Sequence, residues 1–168
     1  RMLVETEFGE GAAPGGRDNA EPVYRFPRRS TADLAGVMVG AALAMLDELC
    51  ALNADRVGRG RRAAAEEIAQ LVIAETAAEL DCARWLLVDS TRAMMAIVTR
   101  GETASTERRV VNRRNQATAT RMAVRAAERV FAAAGRNALY SSGRMQRLFR
   151  DIQAGASHFS LSFHNAAA

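Results

Sequence analysis

All three prolines of this 168-residue chain lie in its first 27 residues, at Pro14, Pro22 and Pro27. Everything after Pro27 is free of the residue that most strongly breaks a helix. The hydrophobic set makes up 49% of the chain, yet only 5% is aromatic. Ala, Leu, Val and Met carry the apolar share, and Ala, Leu and Met are strong helix formers. Composition therefore points to an all-α fold, long enough for one domain with a core of its own.

The apolar spacing divides the chain into four helices. Ser30 offers an N-cap, with Asp33 at the capping-box distance. From there Leu34, Val37, Met38, Ala41, Met45, Leu49 and Leu52 recur at three- and four-residue steps, and Gly58 and Gly60 mark the end. A second helix is expected from about Arg62 to Thr99, with Ile68, Leu71, Val72, Ala78, Cys82, Trp85, Leu86 and Ile97 as its buried stripe; Gly101 stops it. Thr103 or Ser105 can cap a third helix, with Glu107 near its positive end. It carries Val110, Val111, Ala117, Met122, Val124, Val130 and Phe131, and Gly135 closes it. After the loop GRNALYSSGR, a fourth helix runs from Met145 through Leu148, Phe149, Ile152, His158, Phe159 and Leu161. Short connections and Ala-rich faces give an up-down four-helix bundle over residues 30–168. The second and third helices are long for a monomer of this size, so part of their apolar surface is expected to meet other subunits.

Residues 1–29 read differently. RMLVETEF alternates like the end of a strand, GEGAAPGGRDNA reads as a linker, and EPVYRFPRR reads as an extended approach to a helix. A single short strand makes no sheet. Together with the start at Arg1, this puts the expected partner strands upstream.

The net charge of +4 comes entirely from Arg, for the chain has no Lys. The arginines alternate with Glu and Asp along the helices, as solvated faces do, so no nucleic-acid partner is expected. Cys50 and Cys82 lack any metal or redox spacing and are expected to be buried thiols. The apolar run Leu34–Leu46 is short for a bilayer and leads into Asp47 and Glu48, so no membrane partner and a cytoplasmic location are expected. No Glu-x-x-His pair, P-loop or GxGxxG is present. That excludes the di-iron chemistry of ferritin-like bundles.

Candidate chemistry gathers in the C-terminal quarter. The Asn- and Ser-rich loop before the last helix offers hydroxyls and backbone N–H groups that suit a phosphate. It reads equally as an ordinary capped turn. His158 follows the small residues Ala154, Gly155 and Ala156, which leave room for a ligand beside a proton donor or acceptor. A packed, hydrogen-bonded histidine satisfies the same pattern.

Three segments, PVYRFP, AAERVFAAAGRNALYSS and MQRLFRDIQAGASHFSLSF, resemble the C-terminal domain of the acyl-CoA dehydrogenase superfamily. More narrowly, they are similar to the oxygenase components of two-component flavin-dependent monooxygenases on that fold. The resemblance runs from about residue 22 to 165. It implies that residues 1–29 are the end of a β-domain and a linker. It implies a homotetramer that takes reduced FMN (or FAD) from a separate flavin reductase and oxidises a small aromatic substrate. It places Asn137, Tyr140, Ser141 and Ser142 on the phosphate side of the flavin. It places His158 beside the flavin ring, where it supports the oxygenated flavin or takes a proton from a phenol. Metal ligands are not implied. Where many of the dehydrogenases carry a catalytic Glu, this chain has Phe159 and Ser160, and GRNALYSS replaces their Gly-Gly-x-Gly-Tyr loop. An acyl-CoA dehydrogenase-like oxidoreductase therefore stands second, and a non-catalytic helical assembly module third. The role of His164 stays open. Alone, these 168 residues are expected to be inactive; catalysis belongs to the full-length enzyme.

Overall fold

The computed structural model describes residues 21–25, 33–55, 57–58, 61–62 and 66–162. The expected strand at 1–8, the linker and the Ser30 cap lie outside them. Four α-helices form among the described residues: α1 Asp33–Asp55, α2 Glu67–Thr99, α3 Thr106–Ala134 and α4 Arg144–Ala156. A 3₁₀ turn at Pro22–Arg25 packs on α2. Between α1 and α2, Val57–Gly58 pairs antiparallel with Arg61–Arg62. The second helix thus starts five residues later than expected, because residues 61–62 are held in that ladder.

Side-chain pairs establish the helix directions. Along α2 and α3, Thr76 meets Arg129, Glu79 meets Arg125, and Ser90 meets Asn115, so numbers rise on one helix as they fall on the other. Glu48 on α1 holds Arg144 of α4 at 2.7 Å, while Met38 lies where a side chain on Gly155 would stand. Phe131 of α3 stacks on Phe149 of α4 with centroids 4.2 Å apart. All three pairings are antiparallel, which makes the up-down bundle.

Helix α1 touches each of the other three. Its Ala35, Met38, Val39, Ala42, Met45, Leu46 and Leu49 recur at three- and four-residue steps and are all buried. Residues 33–54 are long and apolar enough, by length and composition alone, to cross a membrane. In the fold the buried line of α1 faces three packed helices, while Leu34 and Val37, expected in the core, are exposed. Opposite it, α3 contributes Ala119, Ala123, Ala126 and Ala127, each with no exposed surface. Such small side chains let α1 and α3 approach across the diagonal of the bundle. Leu80 and Ile152 fill the flanks, and Met94, Val98 and Ala104 make a second small cluster at the α2–α3 end.

The α2–α3 seam is polar as well. Asn115 donates to the Ser90 hydroxyl at 2.9 Å, both buried. Thr120 returns its hydroxyl to the Gln116 carbonyl. At the rim, the Glu79 carboxylate takes both Arg125 and Arg129. Ends are sealed locally. Ser105 caps α3 by accepting the Arg108 N–H at 3.2 Å. Gly101, at φ +74, closes α2: its N–H reaches the Val98 carbonyl and the Glu102 N–H reaches Ile97. That double closure needs a left-handed residue. Gly135 ends α3 at φ +61, as the sequence suggests.

Several expected core positions prove to be surface. Ile68, Leu71, Trp85 and Val110 are exposed, Trp85 by 64%. Ala78 and Cys82 are exposed too. On α2 the true core line is Thr76, Leu80, Ala83, Leu87, Ser90, Met94 and Val98, rotated away from the expected stripe. Cys50 is likewise at the surface rather than buried. Partial desolvation first, and the Asp47 carboxylate second, push its thiol up.

Three outcomes follow from this packing. Truncation of Leu80 to Ala should cost about 2–5 kcal/mol in denaturant unfolding. Gly101→Ala should cost ~1–2 kcal/mol, the penalty of a Cβ in the left-handed region. Cys50 should alkylate near neutral pH more slowly than an unperturbed thiol in the unfolded chain, since only the thiolate reacts.

Candidate functional site

The candidate residues sit at the two ends of α4. At its start, the chain leaves α3 through a 3₁₀ turn over Gly135–Leu139, anchored by buried Ala138. Tyr140, Ser141 and Ser142 follow, all exposed. The Gly143 N–H closes this turn on the Tyr140 carbonyl at 2.8 Å. Added at Gly143, a Cβ would stand 3.0 Å from that carbonyl oxygen, so the tightness of the turn explains the glycine. Asn137 lies within the 3₁₀ turn; its side chain falls outside the described residues.

Gly143 is the N-cap of α4 and supplies no side-chain cap. The first turn of α4 therefore has no side-chain cap, and the exposed Ser141 and Ser142 directly precede it, N–H and O–H donors of a kind that suits an anion. Gln146, in the same first turn, has a buried Oε1 with no partner among the described residues. The N–H and O–H donors at this end are of the kind that suits a phosphate group. Gln146 escaped the sequence reading, because nothing in MQRLFRD marks which polar side chain turns inward.

His158 belongs to the other end. It does not continue the helix, as the sequence suggested. Helix α4 stops at Ala156, and His158 instead caps a 3₁₀ turn over Phe159–Leu161. The ring is exposed, and its Nδ1 accepts the Ser160 backbone N–H at 3.2 Å. Phe159 is 63% exposed, while Leu161 is buried and pins the turn to the core. His164 lies outside the described residues. The 13-residue α4 separates the two ends by ~20 Å. The structure therefore brings Tyr140, Ser141 and Ser142 together and keeps His158 a helix length away. Among the described residues, no group of three or more His, Cys, Asp or Glu could hold a metal ion.

The sequence model for "Acyl-CoA dehydrogenase, C-terminal domain" matches residues 32–163. The chain belongs to this family. The acyl-CoA dehydrogenase C-terminal match spans all four helices and both ends of α4. Within the wider family, the chain is 30% identical over 163 residues to the oxygenase subunit HsaA of a flavin-dependent monooxygenase from Rhodococcus jostii (strain RHA1), covering 94% of this chain and 43% of that protein. The crystal structure of the HsaA monooxygenase from M. tuberculosis superposes with a TM-score of 0.79 at 29% identity, over 89% of this chain and 39% of that one. XiaF from Streptomyces sp., in complex with FADH2 and glycerol, shares the fold with a TM-score of 0.84 at 18% identity, over 97% of this chain and 42% of its own. The chain thus spans less than half the length of the relatives it matches.

Replacing Gly143 with Ala should loosen the 140–143 turn and lower stability by about 1 kcal/mol, the low end of overpacking costs. Faster hydrogen exchange at the Gly143 amide, with the α1 core amides unchanged, is the expected signature.

Proposed function

We propose that this chain is the C-terminal bundle of a flavin-dependent monooxygenase oxygenase subunit, which hydroxylates a small aromatic substrate with reduced flavin and O2. The alignment to HsaA across 94% of the chain carries this reading. In this reading residues 1–29 close an upstream β-domain, residues 30–168 form the bundle, and the protein works in the cytoplasm. A separate reductase delivers the flavin, with FMN first and FAD second.

Bound reduced flavin supplies the electrons and the oxygen-activating chemistry. The chain's own residues bind and orient it. Ser141, Ser142 and the open N–H groups of α4 hold the phosphate, Tyr140 flanks it, and Asn137 belongs to the same loop. His158 supports the ring end. The ~20 Å between these ends favours a site shared between subunits, one end of α4 serving each of two flavins. An exposed line on α2, Ile68, Leu71, Ala78, Cys82 and Trp85, supports a homo-oligomer, with a tetramer as the proposed state. An acyl-CoA dehydrogenase would need a base to remove an α-proton. Phe159 and Ser160 supply no carboxylate for that step.

His158→Ala in the full oxygenase should slow hydroxylation or divert reducing equivalents to hydrogen peroxide, read as product formed per NADH consumed in the presence of the reductase. Unchanged coupling and rate would remove His158 from the reaction. Trp85→Glu should shift the light-scattering mass below that of the wild-type assembly; an unmoved mass would take the α2 face out of the subunit contact.

A further inference from the structure

Every polar group of His158 but one is already engaged. Its backbone N–H donates to the Gly155 carbonyl at 3.0 Å, and its carbonyl accepts the Leu161 N–H at 3.0 Å. Its Nδ1 accepts the Ser160 N–H at 3.2 Å. The turn that makes these bonds is fastened to the core by Leu161, 3% exposed. The ring is therefore anchored at one nitrogen by backbone that cannot easily move.

A neutral imidazole carries one N–H and one bare nitrogen. A nitrogen that accepts a backbone N–H cannot also bear a proton. Turning the ring over would set a carbon-bound hydrogen against the Ser160 amide. Moving the proton to Nδ1 would set two N–H groups against each other. Both alternatives leave the Ser160 amide without its acceptor. The proton is thereby assigned to Nε2, the one ring nitrogen without a partner among the described residues, and the ring lies on the exposed face at the end of α4.

We infer that the Ser160 backbone amide locks His158 in its Nε2–H form, so that His158 presents a hydrogen-bond donor to an anionic or electron-rich oxygen and not a base to a phenol. The donor's target rests on the monooxygenase reading above; the lock itself does not. Ser160 acts here as a positioning group, through its backbone alone, while the oxygen that meets Nε2–H belongs to the substrate or to the oxygen-reacting edge of the flavin. Of the two roles that the family resemblance leaves to His158, the geometry selects support of a developing negative oxygen over proton abstraction.

Nitrogen NMR of the uniformly ¹⁵N-labelled protein at about pH 8, where an ordinary imidazole is neutral, reads the lock directly. A His164→Gln variant assigns the signals. The expected result is a bare Nδ1, a protonated Nε2, and a coupling across the hydrogen bond from the Ser160 amide nitrogen to Nδ1. The proton should reside on Nε2 to a greater extent than in an unfolded peptide of residues 155–163. A peptide-like mixture of the two forms, or a protonated Nδ1, would overturn the inference. Two variants then separate it from the wider functional reading. His158→Gln places an amide N–H near the Nε2 position and keeps the donor. His158→Asn places an acceptor near Nδ1, keeps the cap and loses the donor. Coupled hydroxylation by the full oxygenase should fall about tenfold further in the Asn variant than in the Gln variant, the worth of one such hydrogen bond. Equal losses would overturn the donor role. No loss in either, with the NMR lock intact, would instead overturn the placing of His158 in the reaction.

Discussion

The close approach of α1 and α3 across the bundle is the contact on which the rest depends. In a four-helix bundle the diagonal pair normally stands apart, with side chains filling the centre. Here Ala119, Ala123, Ala126 and Ala127 give α3 a run of buried methyl-sized side chains, with Val130 the larger side chain it adds to the same core. The largest side chains come from elsewhere: Met38, Met45 and Leu49 on α1, Leu80 on α2, and Ile152 on α4. Each contributes about 1.5–3 kcal/mol by leaving water. Exposed ion pairs such as Arg144–Glu48 contribute less than ~1 kcal/mol. Burial therefore supplies the stability, and the polar pairs decide register. Ser90–Asn115 does so most sharply, since a slip along the α2–α3 seam would strand two buried polar groups.

Helix α4 inherits its position from that arrangement. Gly155 lies against the Met38 side chain, and Phe149 stacks on Phe131. With α4 held in this way, its two ends become fixed points on the surface. The start presents an uncapped first turn preceded by exposed serines, and the finish presents an imidazole locked by backbone. Both ends are exposed edges of the described bundle, and the proposed function would have other parts of the protein complete a site there. The exposed apolar line on α2 fits the same logic of surfaces made to be covered.

Much of this was legible from residue order. The four helices, the stop at Gly101, the Ser105 cap and the closing Gly135 follow from propensity and from backbone rules that act within a few residues. The loop residues Tyr140, Ser141 and Ser142 and the lone His158 could be named as candidates from residue type alone, and their roles belong to the proposal. The α2 stripe was misread for a clear reason. Ile68, Leu71, Ala78, Cys82 and Trp85 keep an apolar helical spacing as regular as that of the true core line. Periodicity reports that a face is apolar, and it is silent on what covers that face. Cys50 was expected inside only because a thiol without metal or redox spacing is usually buried, and it lies outside.

The amino-acid order alone determined that this chain would be helical and where α2 and α3 would stop. Those are local matters, set by steric preference, capping and side-chain type. Tertiary structure alone decided which face of α2 turned inward, that the loop and His158 stand a helix length apart, and that α4 ends before His158. It also decided which nitrogen of that histidine bears the proton. These depend on contacts between residues distant in sequence, or on the path of the backbone after a helix ends, where no periodicity survives to be read.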